Sequence, residues 1–486
     1  MPDRYHIHTV FTSGRFYRVG KFGGIDWRED CSRCSNCVKP RCCYDVYKHE
    51  SAHNRDPFAA MQPLYECKAC MSCVQGCTKG LLSLSVNPEY LDMGDEYWKP
   101  DLIFSTWNQA DSGKIPVSGA GYRGPFHGPG FDSIWTDMSE IVRPTRDGIH
   151  GREYISTSVD IGTKPMRLHF TPDGKMLTQP SRLLEVPMPV VLDIPAWHVN
   201  QASLAHARAR AARELGTVAT LFAEDAAKLP RDLIPSVVPI LSKEDLQSHR
   251  DLIEKTGSMA QLLDGPCLQA SADMLRTIKS QVIVSVRMTL SPGSADRILE
   301  LSREGIKVFH LCADFHGCER AGINLRGRHL KDALREIHGR LVHKGLRDEI
   351  TLIISGGIAM AEHMAKAIIC GADLVAVDTA LLVALGCRVC RDAHTLIIDA
   401  TSGERGNALP GFCPMEPEVN DIAYAAQRMV NLMGAWHSQL IEVLGAMGIR
   451  EVRRLRGEVG RAIFMEEIEK EAFGDLMRVP AELVSA

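Results

Sequence analysis

A chain of 486 residues exceeds what one hydrophobic core can fill, and predicts two or three units, one large enough for a barrel of roughly 200 to 250 residues. Its 56 Lys and Arg against 60 Asp and Glu leave a net charge of −4, which excludes the strong basic field that nucleic acid or an anionic membrane surface selects. The start, MPDRYHIHTV, lacks the apolar stretch of an export signal and no membrane-length apolar run occurs later, so a cytoplasmic protein without a membrane span is expected.

In chain order, residues 1–30 read as an irregular lead-in, because Gly14, Gly20, Gly23 and Gly24 discourage regular structure. Of the 16 cysteines, nine then crowd into residues 31–77, which points to metal ligation in a reducing compartment rather than to disulfides. Cys67, Cys70, Cys73 and Cys77 stand at C-x2-C-x2-C-x3-C, the interval at which three thiolates of one loop hold three corners of a cubane and a fourth crosses to a second cluster. Cys31, Cys34 and Cys37 repeat the triplet and are followed by Cys42 and Cys43. Two [4Fe-4S] clusters are expected from this spacing. Cys31, Cys34, Cys37 and Cys77 would hold one, and Cys67, Cys70, Cys73 with Cys42 or Cys43 the other; the spacing does not choose between the adjacent pair. Paired zinc knuckles are the alternative for such CxxC pairs.

Residues 1–89 are therefore read as a two-cluster ferredoxin-like domain, and the Gly- and Pro-rich residues 90–185 as a connecting segment that wraps the main domain. SGAGYRGPFHGPGFDSIW lacks the form of a phosphate loop, and the charged side chains of RPTRDGIHGREYI beside Gly148 and Gly151 read as a packed, salt-bridged structural corner. From residue 186 to 415, apolar runs alternate with helical stretches: 188–193, 217–221, 236–241, 258–263, 281–287, 307–312, 351–355 and 373–378. Eight such runs predict an α/β protein with a (β/α)8 TIM barrel, an open doubly wound sheet being the other solution. Pro239 sits inside the third run, where a central strand normally excludes it.

In such a barrel, chemistry sits where strands end. That singles out Asp193, Asp264, Arg287, the stretch Cys312 to His316 with Asp314, the Ser355-Gly356-Gly357 turn, and Asp378-Thr379. A Gly pair after a strand serves an anion site or merely a turn. After the eighth run come Cys387, Cys390 and Cys413, ligands for a further iron-sulfur cluster or buried core thiols. Residues 416–486 carry helical periodicity, with Val419, Ile422, Ala425, Met429 and Met433 on one face.

The motifs RPTRDGIHGREYIST (143–157), SVRM (285–288) and LRDEITLIISGGIAMAEHMAKAIICGADLVAVDTALLVALGC (346–387) resemble the FMN-binding domain of the glutamate synthase family, in its ferredoxin-bearing form without an amidotransferase domain. The resemblance spans about residues 140–415 and implies a barrel holding FMN. It implies that Gly356 and Gly357 match the phosphate loop, that Arg287 faces the flavin N1 edge, and that Cys387, Cys390 and Cys413 hold a [3Fe-4S] cluster; Ser355, Asp378 and Thr379, at the strand ends, are the further candidates for cofactor binding. Three loops depart from the family. Asp193-Ile194-Pro195-Ala196-Trp197 stands after the first strand, Leu221 to Asp225 after the second, and Cys312 to Gly317 after the sixth.

Three functions are expected, in order of preference. The first is an iron-sulfur flavoprotein oxidoreductase passing electrons between clusters and FMN, with Arg287, Asp193, Asp314 and His316 as candidates for the chemistry. The second is a catalytically degenerate subunit carrying electrons between partners in a larger redox complex. The third is a ferredoxin-dependent glutamate synthase. In each, redox proteins are the expected partners.

Overall fold

The computed structural model describes residues 5–16, 19, 22–32, 34, 36, 40–45, 70–115, 128–136, 154–164, 168–178, 182–195, 201–320, 326–390 and 420–474. Strand β1 (Phe22–Trp27) pairs antiparallel with β2 (Leu82–Val86), bracketing the cysteine-rich stretch. This corrects the expectation of an irregular lead-in. Gly23 and Gly24 lie within a strand, and the register slips between Phe22 and Gly24, the bulge that glycine permits. Between the two strands, the short helix Ser72–Gly76 presents Cys73 to the interior.

The connecting segment is more structured than its composition suggests. The helix Pro100–Ser112 starts with proline at its first position and ends on Gly113 at φ 67°, the usual asymmetry of helix ends. It buries Leu102, Ile103, Trp107 and Ala110. Strand β3 (Ile134–Thr136) comes next, and then β4 (Val159–Gly162), which pairs with β5 (Leu183–Val186).

The next strands are β6 (Val190–Leu192), β7 (Ala219–Phe222), β8 (Val237–Leu241), β9 (Met259–Leu263), β10 (Ile283–Thr289) and β11 (Val308–Cys312). A hairpin of β12 (Cys318–Arg320) and β13 (Arg326–His329) interrupts before β14 (Thr351–Ser355) and β15 (Leu374–Val377). β6 to β11, β14 and β15 close into one parallel barrel, with β15 alongside β6. All eight expected runs are strands of it, and closure rules out the open sheet. Pro239 keeps its place in β8 opposite Leu221. Among the described residues, β16 (Ala462–Phe464) adds to β3, tying the C-terminal segment to the connector.

The apolar helix Ile422–Ala446 packs on Gln201–Leu215 and on Pro100–Ser112. It carries the fully buried Arg428, whose guanidinium meets Asp111 at 2.7 Å and the Ala384 carbonyl at 2.6 Å. A buried cation without such partners would cost several kcal/mol, so this residue, which also donates to the Thr12 carbonyl, fixes how the N-terminal segment, helix Pro100–Ser112 and the helix Thr379–Ala384 after β15 meet. No helix among the described residues is long and apolar enough to cross a membrane.

Candidate functional site

A barrel interior is ordinarily filled by layers of branched apolar side chains. Here the layer at the C-terminal end of the strands is polar. Arg287 on β10 reaches across to Asp193, just after β6, with Nη1 to Oδ1 at 2.8 Å and Nη2 to Oδ2 at 3.0 Å. The two side chains are 2% and 1% exposed. The Thr220 hydroxyl on β7 donates to the same carboxylate. Below it, Arg208 gives the Thr220 carbonyl a bond of 2.9 Å. On the other side, Gln261 Nε2 lies 2.9 Å and Arg287 Nη1 3.2 Å from His310 Nδ1. Since a guanidinium can only donate, Nδ1 is an acceptor and the ring proton resides on Nε2.

The electrostatics arise from this packing. Burial alone would raise the Asp193 carboxyl, but the Arg287 charge and the bonds from Arg287 and Thr220 hold it well below the usual carboxylate range. Burial and the adjacent guanidinium lower His310 to about 3, so the ring is neutral. Burial pushes the Cys312 thiol up to about 11. Asp193 is thus a permanent counter-ion, and this pair is a poor source or sink of protons at neutral pH. Asp193, His310 and Cys312 each offer a ligand atom within 4.8 Å of the others, but with both Asp193 oxygens bonded to Arg287 a cation there would face a guanidinium.

Asp378 contrasts with Asp193. It comes directly after β15 and accepts the Thr379 amide on its own carboxylate. Burial raises it to about 7; the Thr379 bond opposes this and the charge of Asp193 adds to it. Thr379 Oγ1, Ser285 Oγ and His310 Nε2 are among the described polar atoms buried without a hydrogen-bond partner.

The loops above this floor are clamped by the connector. Tyr97 Oη donates to the Gly357 carbonyl, and Trp98 Nε1 to the Phe315 carbonyl at 2.8 Å. His316 Nε2 sits 2.7 Å from Asp95. Asp314 caps its own turn, accepting from the amides of His316 and Cys318 at 2.9 and 2.7 Å. Gly356 and Gly357 have φ of 97° and 67°. A Cβ on them would meet the Asp314 carbonyl at 2.3 Å and the Gly317 amide at 2.6 Å, so close approach of the loop after β11 requires both glycines. Asp132 Oδ1, also on the connector, meets His363 Nε2 at 2.9 Å.

In the cysteine-rich stretch, Cys43 Sγ lies 3.2 Å from Ser72 Oγ and is a hydrogen-bond neighbour of Cys70. Cys70 is lowered chiefly by bonds from Ser72. Cys77 Sγ accepts the Leu81 amide at 3.3 Å, and amide bonds from Leu81 and Lys79 lower it too. Cys31, Cys34 and Cys42 are among the described free thiols. Cys387 Sγ accepts the Val389 amide at 3.4 Å, and the Arg388 carbonyl accepts from Gly94 at 2.9 Å. The turn bearing Cys387 and Cys390 therefore touches the connector shortly after the cluster motif. Cys37, Cys67 and Cys413 lie outside the described residues, as do residues 118–127 and 143–153.

Sequence reasoning named Arg287, Asp193 and Asp378 but missed Thr220, Gln261 and His310. A signal existed: each is a lone polar residue inside an apolar strand, and such a residue faces either helices or the barrel interior. Asp95 and Tyr97 had no such signal.

Known proteins share parts of this architecture. Residues 312–450 match the model of the conserved region in glutamate synthase. An archaeal-type glutamate synthase [NADPH] of Dehalococcoides mccartyi is 24% identical over 89% of this chain and 93% of its own length. The archaeal glutamate synthase [NADPH] of Methanocaldococcus jannaschii is 27% identical over 78% of this chain and 84% of its own. The flavin-binding domain of baker's yeast flavocytochrome b2 overlays 80% of this chain at 11% identity with a TM-score of 0.40, a likeness too loose to bear on function.

Proposed function

We propose that this chain, which carries the conserved region of glutamate synthase and resembles archaeal-type glutamate synthases over most of its length, is an iron-sulfur electron-transferring oxidoreductase unit of that kind. The observation that carries the reading is the thiol arrangement. Cys43 lies beside Cys70, just before the helix that presents Cys73, and Cys77 is ringed by amides that stabilise a thiolate. Soft thiolates with N–H···S bonds are the donor set of an iron-sulfur cluster. Cys43, Cys67, Cys70 and Cys73 would hold one [4Fe-4S] cluster, and Cys31, Cys34, Cys37 and Cys77 the other. Cys387, Cys390 and Cys413 would hold a third, next to the connector. Such clusters supply one-electron transfer, and this chain's amides tune them through the sulfurs.

FMN is the group a barrel of this family would take, and the fit divides along the molecule. At the floor, Ser285 Oγ and His310 Nε2 are buried without a hydrogen-bond partner and the Arg287–Asp193 pair gives a neutral, rigid surface, which suits a flavin ring. At the other end, Asp378 already occupies the Thr379 amide and adds a buried carboxylate, which does not fit a phosphate. Arg287 spends both terminal nitrogens on Asp193 and is not poised as an unattached cation. That observation also favours the second reading, a degenerate subunit that relays electrons between redox proteins.

The test is one anaerobically purified sample. Iron and acid-labile sulfide in equal amounts, with paramagnetic signals on reduction, support the unit; a zinc-bearing chain without sulfide refutes it. Glutamate production from 2-oxoglutarate and ammonia, driven by reduced ferredoxin or NADPH, would place it with its relatives, and its absence in a cluster-loaded, reducible chain favours the relay.

A further inference from the structure

Resting on the reading that the barrel mouth takes a flavin ring, we infer that Asp378 makes the mouth discriminate against a phosphate, so that it accepts a flavin whose side chain ends in a hydroxyl in preference to FMN. In barrels of this architecture the anion is held by amides of the loops after the seventh and eighth strands and by a helix N-terminus. Here the loop after β14 is the Gly356–Gly357 turn, with the Gly357 carbonyl engaged by Tyr97. The loop after β15 is Asp378–Thr379, where the first helical amide donates to the Asp378 carboxylate. The donor that would meet a phosphate is taken, and the group that took it is itself an acid.

The surroundings reinforce this. Asp378 is buried, and among the described residues no cation forms an ion pair with it. The charged groups that act on it or through it are Asp193 after β6, which disfavours a second anion, and Arg287 on β10, which is committed to Asp193. Tyr97, facing it from the connector, is kept neutral by burial and by Asp132. A phosphate monoester only accepts hydrogen bonds at neutral pH and is repelled by a carboxylate. A terminal hydroxyl donates, and Asp378 is its acceptor.

The experiment measures binding of riboflavin and of FMN to the anaerobically prepared, cluster-loaded full chain at pH 8 by quenching of flavin fluorescence. It compares wild type with Asp378→Asn, which keeps the shape and removes the charge, and with Asp378→Gly, which also frees the Thr379 amide. Wild type is expected to bind riboflavin at least about tenfold more tightly than FMN, as one uncompensated like-charge contact in a partly buried site requires. Asp378→Asn should bring the ratio to about one and Asp378→Gly should reverse it, with circular dichroism matching wild type for the Asn variant. FMN binding to wild type as tightly as riboflavin overturns the inference and leaves the flavin reading standing. Binding of neither flavin to any of the three proteins removes that reading and the inference with it.

Discussion

Replacing Asp193 by Asn tests whether the barrel is built around its polar layer. The substitution keeps the shape and removes the charge that neutralises Arg287. Both partners are almost wholly buried and joined by two bonds of 2.8 and 3.0 Å, so the guanidinium would be left in the interior with an amide in place of its counter-ion. Breaking a buried pair from one side costs about 3–5 kcal/mol, a large part of the roughly 5–15 kcal/mol that stabilises a domain. Exchanging both for apolar residues, Asp193→Leu with Arg287→Met, should cost less than the sum of the single changes, because no charge is stranded. The assay is urea unfolding followed by far-ultraviolet circular dichroism at pH 7.5. The pH dependence has a fixed sign. Asp193 is held below its unfolded value, so its contribution is present above about pH 4 and fades as the pH falls below it. An Asp193→Asn variant within about 1 kcal/mol of wild type, or full additivity of the two changes, would refute the reasoning.

Asp378 should behave in the opposite sense. Its folded value is raised to about 7, so the penalty is absent below about pH 4, grows as the pH rises to 7 and then levels off. Asp378→Asn should therefore stabilise the protein at pH 8, by at most roughly 4 kcal/mol, and leave it unchanged at pH 4. Equal stabilisation at both pH values would contradict the buried, ionising carboxylate. Cys43→Ser should lower the iron content by about one cluster's worth while Cys42→Ser retains it, measured by colorimetric iron assay, since Cys43 is the thiol beside Cys70. Gly357→Ala should cost about 2 kcal/mol or more in melting experiments, because the φ of 67° and the Gly317 amide 2.6 Å from the new Cβ both oppose it; an unchanged melting temperature would show that the two loops separate freely.

The barrel was legible in the sequence because each strand is buried on both faces and reads as an apolar run. Even Pro239 did not mislead, since β8 holds its register on both sides through other residues. The strand at residues 22–27 was not legible. Its two glycines argue against a strand locally, and it exists because β2, some sixty residues on, offers an edge. Within the site, strand-end positions pointed to Arg287, Asp193 and Asp378. Pairing across the barrel was hidden from them: Arg287 and Asp193 are 94 residues apart, and only closure of the sheet brings them into contact. Nor could a Gly-Gly turn disclose that Tyr97, Trp98 and Asp95 of the connector lie over it, because those contacts depend on the path of a segment with no periodicity.

The most direct test of the electron-transfer reading is iron and sulfide analysis of the chain purified without oxygen, joined to electron paramagnetic resonance after reduction. At least about eight iron and eight acid-labile sulfide per chain are expected, the content of two four-iron clusters, with signals that appear on reduction. Zinc in stoichiometric amount with no sulfide, and no signal at any potential, would contradict it.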